Sequence, residues 1–213
     1  MDNPIGLSQL QLDALKEISS IGAGNAVTAL SQFLNKKVQM LPPEIIILAQ
    51  GQSGRLITEA MPAVTVVSLE VTGEVSGHIL AAFAPENAAS LANLLLGNEP
   101  AGNGSASLSE IGVSAFKEVT SVMTGSYLRV MGDMMKITLR MSPPDFQSCS
   151  GGKINEAIIK SIKETGNTIC LKSNLCVIDS PGDILGYLFF IPSSDALKVM
   201  LKLLGIEAAS PGN

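Results

Sequence analysis

The stretch KEISSIGAGNA, residues 16–26, sets two glycines in the middle of a helical pattern, and its reading decides the fold. It is a phosphate-cradling loop, a helix stop, or the interior of one long helix. Upstream, Ser8 with Gln11 three residues on forms a capping box, and Leu7 with Leu12 fits a hydrophobic staple, so a helix starts there. At about 100° per residue, Leu15, Ile18, Gly22, Ala26, Ala29 and Phe33 then fall on one stripe. The apolar rhythm runs straight through Gly22 and Gly24, which places both inside the helix. Each costs up to about 1 kcal/mol relative to alanine, so close approach of another backbone is the expected compensation. A dinucleotide fingerprint would need a third glycine and a preceding strand. Here position 27 is valine and the preceding element is helical, which argues against the phosphate loop.

The chain of 213 residues is long enough to bury a sizeable core, and its 46% hydrophobic and 15% charged residues describe a globular protein. Apolar runs such as EIIILAQ (44–50) and GYLFFIP (186–192) are strand-length, well below the roughly 20 residues of a membrane span. The N-terminus MDNPIGLSQ shows no secretory signal. A net charge of −5 argues against a nucleic-acid footprint. Cys149, Cys170 and Cys176 are odd in number and lack CxxC spacing, which suits structural thiols in a reducing cytoplasm.

At an offset of 101 residues the sequence repeats itself: Leu7-Ser8 meets Leu108-Ser109, and Ala14-Leu15-Lys16-Glu17 meets Ala115-Phe116-Lys117-Glu118. Ile18-Ser19-Ser20-Ile21 meets Val119-Thr120-Ser121-Val122, Gly24 meets Gly125, and Pro42-Pro43 meets Pro143-Pro144. The second stripe is Phe116, Val119, Met123, Tyr127, Val130 and Met134. Further on, GHILAAFAPENAASLANLLLG ends one half at Gly97 and GYLFFIPSSDALKVMLKLLG ends the other at Gly205. Each half reads as long helix, Pro-Pro turn, strands, then a short helix stopped by glycine. The Gly-rich stretch 97–107 connects them.

The expected fold is therefore α+β. It is a single domain over 1–213, internally duplicated as helix–strands–helix halves (about 7–97 and 108–205). Pseudo-two-fold symmetry would pack the two long helices on a shared, largely antiparallel sheet.

Away from the apolar stripe, Asp13, Glu17 and Ser20 lie at i, i+4 and i+7, within about 60° of one another around the helix. Ser114, Glu118 and Ser121 repeat those offsets. Residue chemistry alone leaves two readings of this face, an ordinary solvated helix surface or a site.

Resemblance goes further. LKEISSIGAGNAVTALS (15–31), VTGEVSGHILAAF (71–83), FKEVTSVMTGSYLRVM (116–131) and the two Pro-Pro pairs resemble the CheC family of chemotaxis proteins, related to CheX and FliY. The family pattern reads Asp or Ser, three residues, Glu, two residues, Asn, then Pro after 22 more. Here it falls on Asp13, Glu17, Ser20 and Pro43, and again on Ser114, Glu118, Ser121 and Pro144. The resemblance implies that these helices dock on a phosphorylated CheY-type response regulator, which carries the aspartyl phosphate and its Mg²⁺. No cofactor of the chain's own is implied. Glu17 and Glu118 would pair with the regulator's lysine, with Asp13, Ser114, Pro43 and Pro144 in the docking surface. The family's Asn orients water for in-line attack, a positioning role sensitive to shifts of about 1 Å. Both Asn positions carry serine here, at Ser20 and Ser121. A hydroxyl is shorter than an amide and lacks its paired donor and acceptor.

Two functions follow: a cytoplasmic phosphatase of regulator aspartyl phosphate, weakened by the two serines, or a non-catalytic adaptor. The adaptor would bind phosphorylated CheY, the receptor deamidase CheD, or both. The amphipathic KINEAIIKSIKET (153–165), absent from the first half, is a surface helix or a docking element for CheD. A flagellar-switch component would need a further switch-binding domain. His78 is the lone histidine, in a strand-like segment with no ligand partner nearby in sequence, and reads as structural. The methionines, including Met131, Met134 and Met135, read as core filler.

Overall fold

A computed structural model describes residues 5–48, 63–97, 108–150, 168–178 and 182–206. The element order is α1 (Gln9–Leu34), β1 (Lys37–Met40), β2 (Glu44–Leu48), β3 (Ala63–Gly73), β4 (Gly77–Phe83) and α2 (Pro85–Leu95). It then recurs as α3 (Glu110–Met135), β5 (Leu139–Met141), β6 (Asp145–Ser150), β7 (Thr168–Ile178), β8 (Ile184–Pro192) and α4 (Ser194–Leu203). The expected helix over 153–165 and the Cys149 side chain lie outside what is described.

The glycine-bearing stretch is helical throughout. Ser8 caps α1 as expected: the Gln11 backbone N–H donates to Ser8 Oγ, and the Ser8 N–H donates to Gln11 Oε1. Ser109 caps α3 by accepting from the Gly112 N–H. Both long helices end on a left-handed residue, Asn35 at φ 50° and Lys136 at φ 58°, which is compatible with duplicated halves. The two short helices are followed by Gly97 and Gly205 at positive φ, the stop that their sequences announced.

All eight strands join one antiparallel sheet. β4 and β8 pair at its centre, β3 flanks β4, and β7 flanks β8. The outer positions cross between halves: β1 and β2 pair on β7, whereas β5 and β6 pair on β3. β3 and β4 form a hairpin, with Val71 opposite Gly77. Alternation along the strands serves two cores. Ile79, Ala81 and Phe83 face the helices with Leu188 and Phe190. Leu80 and Ala82 join Phe189, Ile191 and Cys170 in a separate cluster on the opposite face. Burial on both faces explains why β4 and β8 read as unbroken apolar runs. His78 is half-buried on β4, with Glu70 across from it in the register.

The predicted stripes hold for their first three turns and then drift. Leu15, Ile18, Gly22 and Ala26 are buried, but Leu30 and Leu34 continue the line, while Phe33 is 38% exposed. On α3, Met131 and Met135 are buried, and Met134, expected in the core, is 39% exposed. The buried line advances mostly by four residues, about 40° more than a full turn each time, so it winds around the helix instead of running parallel to its axis.

The expected glycine contact needs a similar correction. At Gly22 the nearest atoms belong to side chains: a methyl there would lie 3.0 Å from two carbons of the Tyr127 ring and 3.3 Å from Met131 Cγ. Gly24 faces open space.

Candidate functional site on two equivalent helix faces

The long helices are locked to one another before either presents a face. Tyr127 of α3 lies over Gly22 of α1, and its hydroxyl shares a 2.9 Å hydrogen bond with Ser19 Oγ, both groups being buried. Ser126 Oγ donates to the Asn25 carbonyl at 3.1 Å. Size is complementary here, because Gly22 and Ala26 on α1 correspond in the repeat to Met123 and Tyr127 on α3. Burial holds the Tyr127 phenol protonated well above its ordinary range. Sequence reading missed this polar pair. The signal was a tyrosine on an apolar stripe, whose hydroxyl must find a partner once buried.

Around this lock the motif residues take their predicted side. Glu17 and Glu118 are both exposed, as are Asp13 and Ser114, while Ser20 and Ser121 are half-buried. Neither glutamate has an ion-pair partner among the described residues. Asp13 Oδ1 accepts from Gln9 Nε2 at 2.8 Å, and Ser114 Oγ donates to the Glu110 carbonyl at 3.1 Å. Each face begins with an exposed apolar residue that sequence reading overlooked, Leu10 on α1 and Ile111 on α3, both 67% exposed. They lie three residues before Asp13 and Ser114, so helical spacing sets them on the same side.

The Pro-Pro segments are anchored across the halves. Leu41 N–H donates to the Asn174 carbonyl on β7, and Ser142 N–H donates to the Glu70 carbonyl on β3. On the first face this brings Pro42 and Pro43 beside Ser20, in a cleft of about 270 Å³ shared with Gly24, Val27 and Leu41. Pro43 is itself buried, so it serves as a wall of the cleft, while Pro42 is exposed. Pro144 is half-buried on the second face.

The serines differ. Ser121 Oγ donates to the Lys117 carbonyl of its own helix at 2.8 Å. Ser20 Oγ has no hydrogen-bond partner among the described residues. The described residues contain no group of three His, Cys, Asp or Glu side chains at metal-ligating spacing, and no helix long and apolar enough to cross a membrane.

Residues 10–47, which carry the first motif from Asp13 to Pro43, match the CheC-like family. The CheY-P phosphatase CheC of Bacillus subtilis is 23% identical over 201 residues, 94% of this chain and 96% of that protein. The flagellar motor switch phosphatase FliY of the same organism is 32% identical over 139 residues, 65% of this chain and 35% of FliY. The crystal structure of Thermotoga maritima FliY superposes with a TM-score of 0.77 at 20% identity, covering 95% of this chain and all of that one. The chain thus carries a CheC-like segment over residues 10–47, is similar to Bacillus CheC along nearly its whole length and to part of Bacillus FliY, and shares the helix-on-antiparallel-sheet fold of Thermotoga FliY.

Proposed function

We propose that the chain terminates a chemotaxis signal by docking its motif faces on a phosphorylated CheY-type response regulator and promoting hydrolysis of the aspartyl phosphate. The observation that carries this reading is the first face: an exposed, unpaired Glu17 one turn from an uncommitted Ser20 hydroxyl, beside a cleft walled by Pro43. A homologue along nearly the whole chain is a CheY-P phosphatase.

In the proposed reaction a water oxygen adds to phosphorus in line with the leaving aspartyl oxygen. The P–O bond to aspartate breaks, freeing the regulator's carboxylate and inorganic phosphate, and the water's proton leaves with phosphate or solvent. The divalent ion belongs to the regulator. Glu17 and Glu118 contribute charge-assisted contacts to the regulator's lysine. Ser20 contributes one hydroxyl to hold the water, a weaker grip than the amide's donor–acceptor pair. Loss of one positioned hydrogen bond costs roughly 10²- to 10³-fold in rate at comparable sites, so the proposed activity is low for the family. The proposed partner places the chain in the cytoplasm.

The Ser121 hydroxyl, tied to Lys117, favours a second reading in which the chain acts as an adaptor, binding phosphorylated CheY, CheD or both without hydrolysis. Phosphate release from a CheY-type regulator labelled with radioactive acetyl phosphate, with and without this protein, separates the readings. Faster release supports the phosphatase, and binding with unchanged release supports the adaptor.

A further inference from the structure

The two motif faces are equivalent in sequence but not in shape. On α1, a methyl added at Gly24 would meet nothing within 4 Å, and the cleft between Ser20 and Pro43 stands open. On α3, a methyl at the equivalent Gly125 would meet Met141 Cε at 3.3 Å. Met141 Sδ lies 3.8 Å from Thr124 Oγ1, so this side chain covers the turn after Ser121. The hollow on that side is displaced along the helix. It is lined by Gly125, Arg129, Gly132, Asp133 and Met141, and it excludes Ser121.

The difference coincides with two pairs of equivalent residues. Met40 and Met141 correspond in the repeat, as do Ala23 and Thr124. Beside the small Ala23, Met40 packs against the main core. Thr124 is larger, and Met141 lies outward, 39% exposed.

We propose that the α1 face alone seats the regulator, with an apolar side chain of that partner entering the cleft beside Ser20, while Met141 closes the equivalent place on α3. This inference rests on the proposed function and narrows it to one site per chain. The cleft suits such a side chain because Val27, Met40, Leu41 and the prolines surround a single hydroxyl. Leu41, 61% exposed at its rim, extends the apolar surface outward.

The test pairs Gly24→Met with Gly125→Met and measures binding of a CheY-type regulator carrying beryllofluoride, a stable mimic of the aspartyl phosphate. Methionine suits a helix interior, and open space at Gly24 lets the first variant fold; thermal melts check both. The expected stoichiometry is one regulator per chain. Gly24→Met fills the cleft and lowers affinity by about tenfold or more, the loss of a well-packed interface contact. Gly125→Met displaces only the tip of Met141 and leaves affinity unchanged. Two regulators per chain, or equal losses in the two variants, would overturn the inference while the proposed function stands. Wild-type protein that does not bind the beryllofluoride form overturns both.

Discussion

Ser20 and Ser121 occupy equivalent places, yet one hydroxyl is uncommitted and the other is spent on Lys117. If the missing amide limits the reaction, Ser20→Asn is expected to raise phosphate release about tenfold or more, the low end of one positioned hydrogen bond. Asparagine differs from serine by only a few tenths of a kcal/mol in helix propensity, so folding is unaffected. An unchanged rate with binding intact would move the reading to the adaptor.

The buried Ser19–Tyr127 pair makes a prediction about stability instead of activity. Tyr127→Phe strands the Ser19 hydroxyl, at a cost of about 1–3 kcal/mol. It also changes the alkaline limb. Burial raises the native phenol's pKa, with the Ser19 hydrogen bond opposing and nearby Cys170 adding to the rise. Above about pH 10 the unfolded chain therefore loses a proton that the native chain keeps. Stability present below that pH falls as pH rises, by up to about 1.4 kcal/mol per unit. Denaturant titrations across that range should show a flatter decline in Tyr127→Phe; parallel curves would remove Tyr127 as the cause.

On the scale of the helix, the two glycines of IGAGNA are expected to respond to alanine with opposite signs. Gly24→Ala adds a methyl in open space and recovers up to about 1 kcal/mol of helix propensity. For a chain of this size that raises Tm by about 2–4 °C. Gly22→Ala presses on a Tyr127 ring whose hydroxyl is held by Ser19, so the ring has little room to yield. Overpacking of about 1–3 kcal/mol then outweighs the propensity gain, and Tm falls. Calorimetry showing both variants stabilised would mean that the helix pair tolerates a wider spacing than the contact implies.

Over the whole molecule, neither half owns its outer strands. β1 and β2 find their partner on β7, while β5 and β6 find theirs on β3. Cutting the chain between Gly97 and Leu108 is expected to leave two fragments that do not fold cooperatively alone. Mixed, they should recover strand circular dichroism and a single thermal transition. Independent folding of residues 1–103 would show that the crossed pairings are dispensable. Docking also belongs to this scale, because Glu17 and Glu118 stand on helices from opposite halves, held together by the Ser19–Tyr127 contact and the shared sheet. The double variant Glu17→Ala, Glu118→Ala is expected to weaken binding of the phosphorylated regulator at low salt, with the loss carried by Glu17 where the α1 face alone seats it, and with the difference shrinking as salt rises. A salt-independent affinity identical to wild type would remove both residues from the docking surface.

Local chemistry made much of this legible in the sequence. Ser8 and Gln11 set the start of α1, the apolar rhythm carried the helix through Gly22 and Gly24, and the motif offsets put both glutamates on the solvent side. Those features depend on residues a few places apart along one helix, so spacing suffices to state them. The bond between Ser19 and Tyr127 spans 108 residues, and the crossed strand pairings join opposite halves. The exposure of Phe33 and Met134 depends on how the buried line winds where the helices meet the core. The state of each serine face was decided in the same way. Met40 packs against the core on the side of Ala23, whereas Met141 lies exposed against Thr124, contacts between side chains that only the tertiary structure brings together.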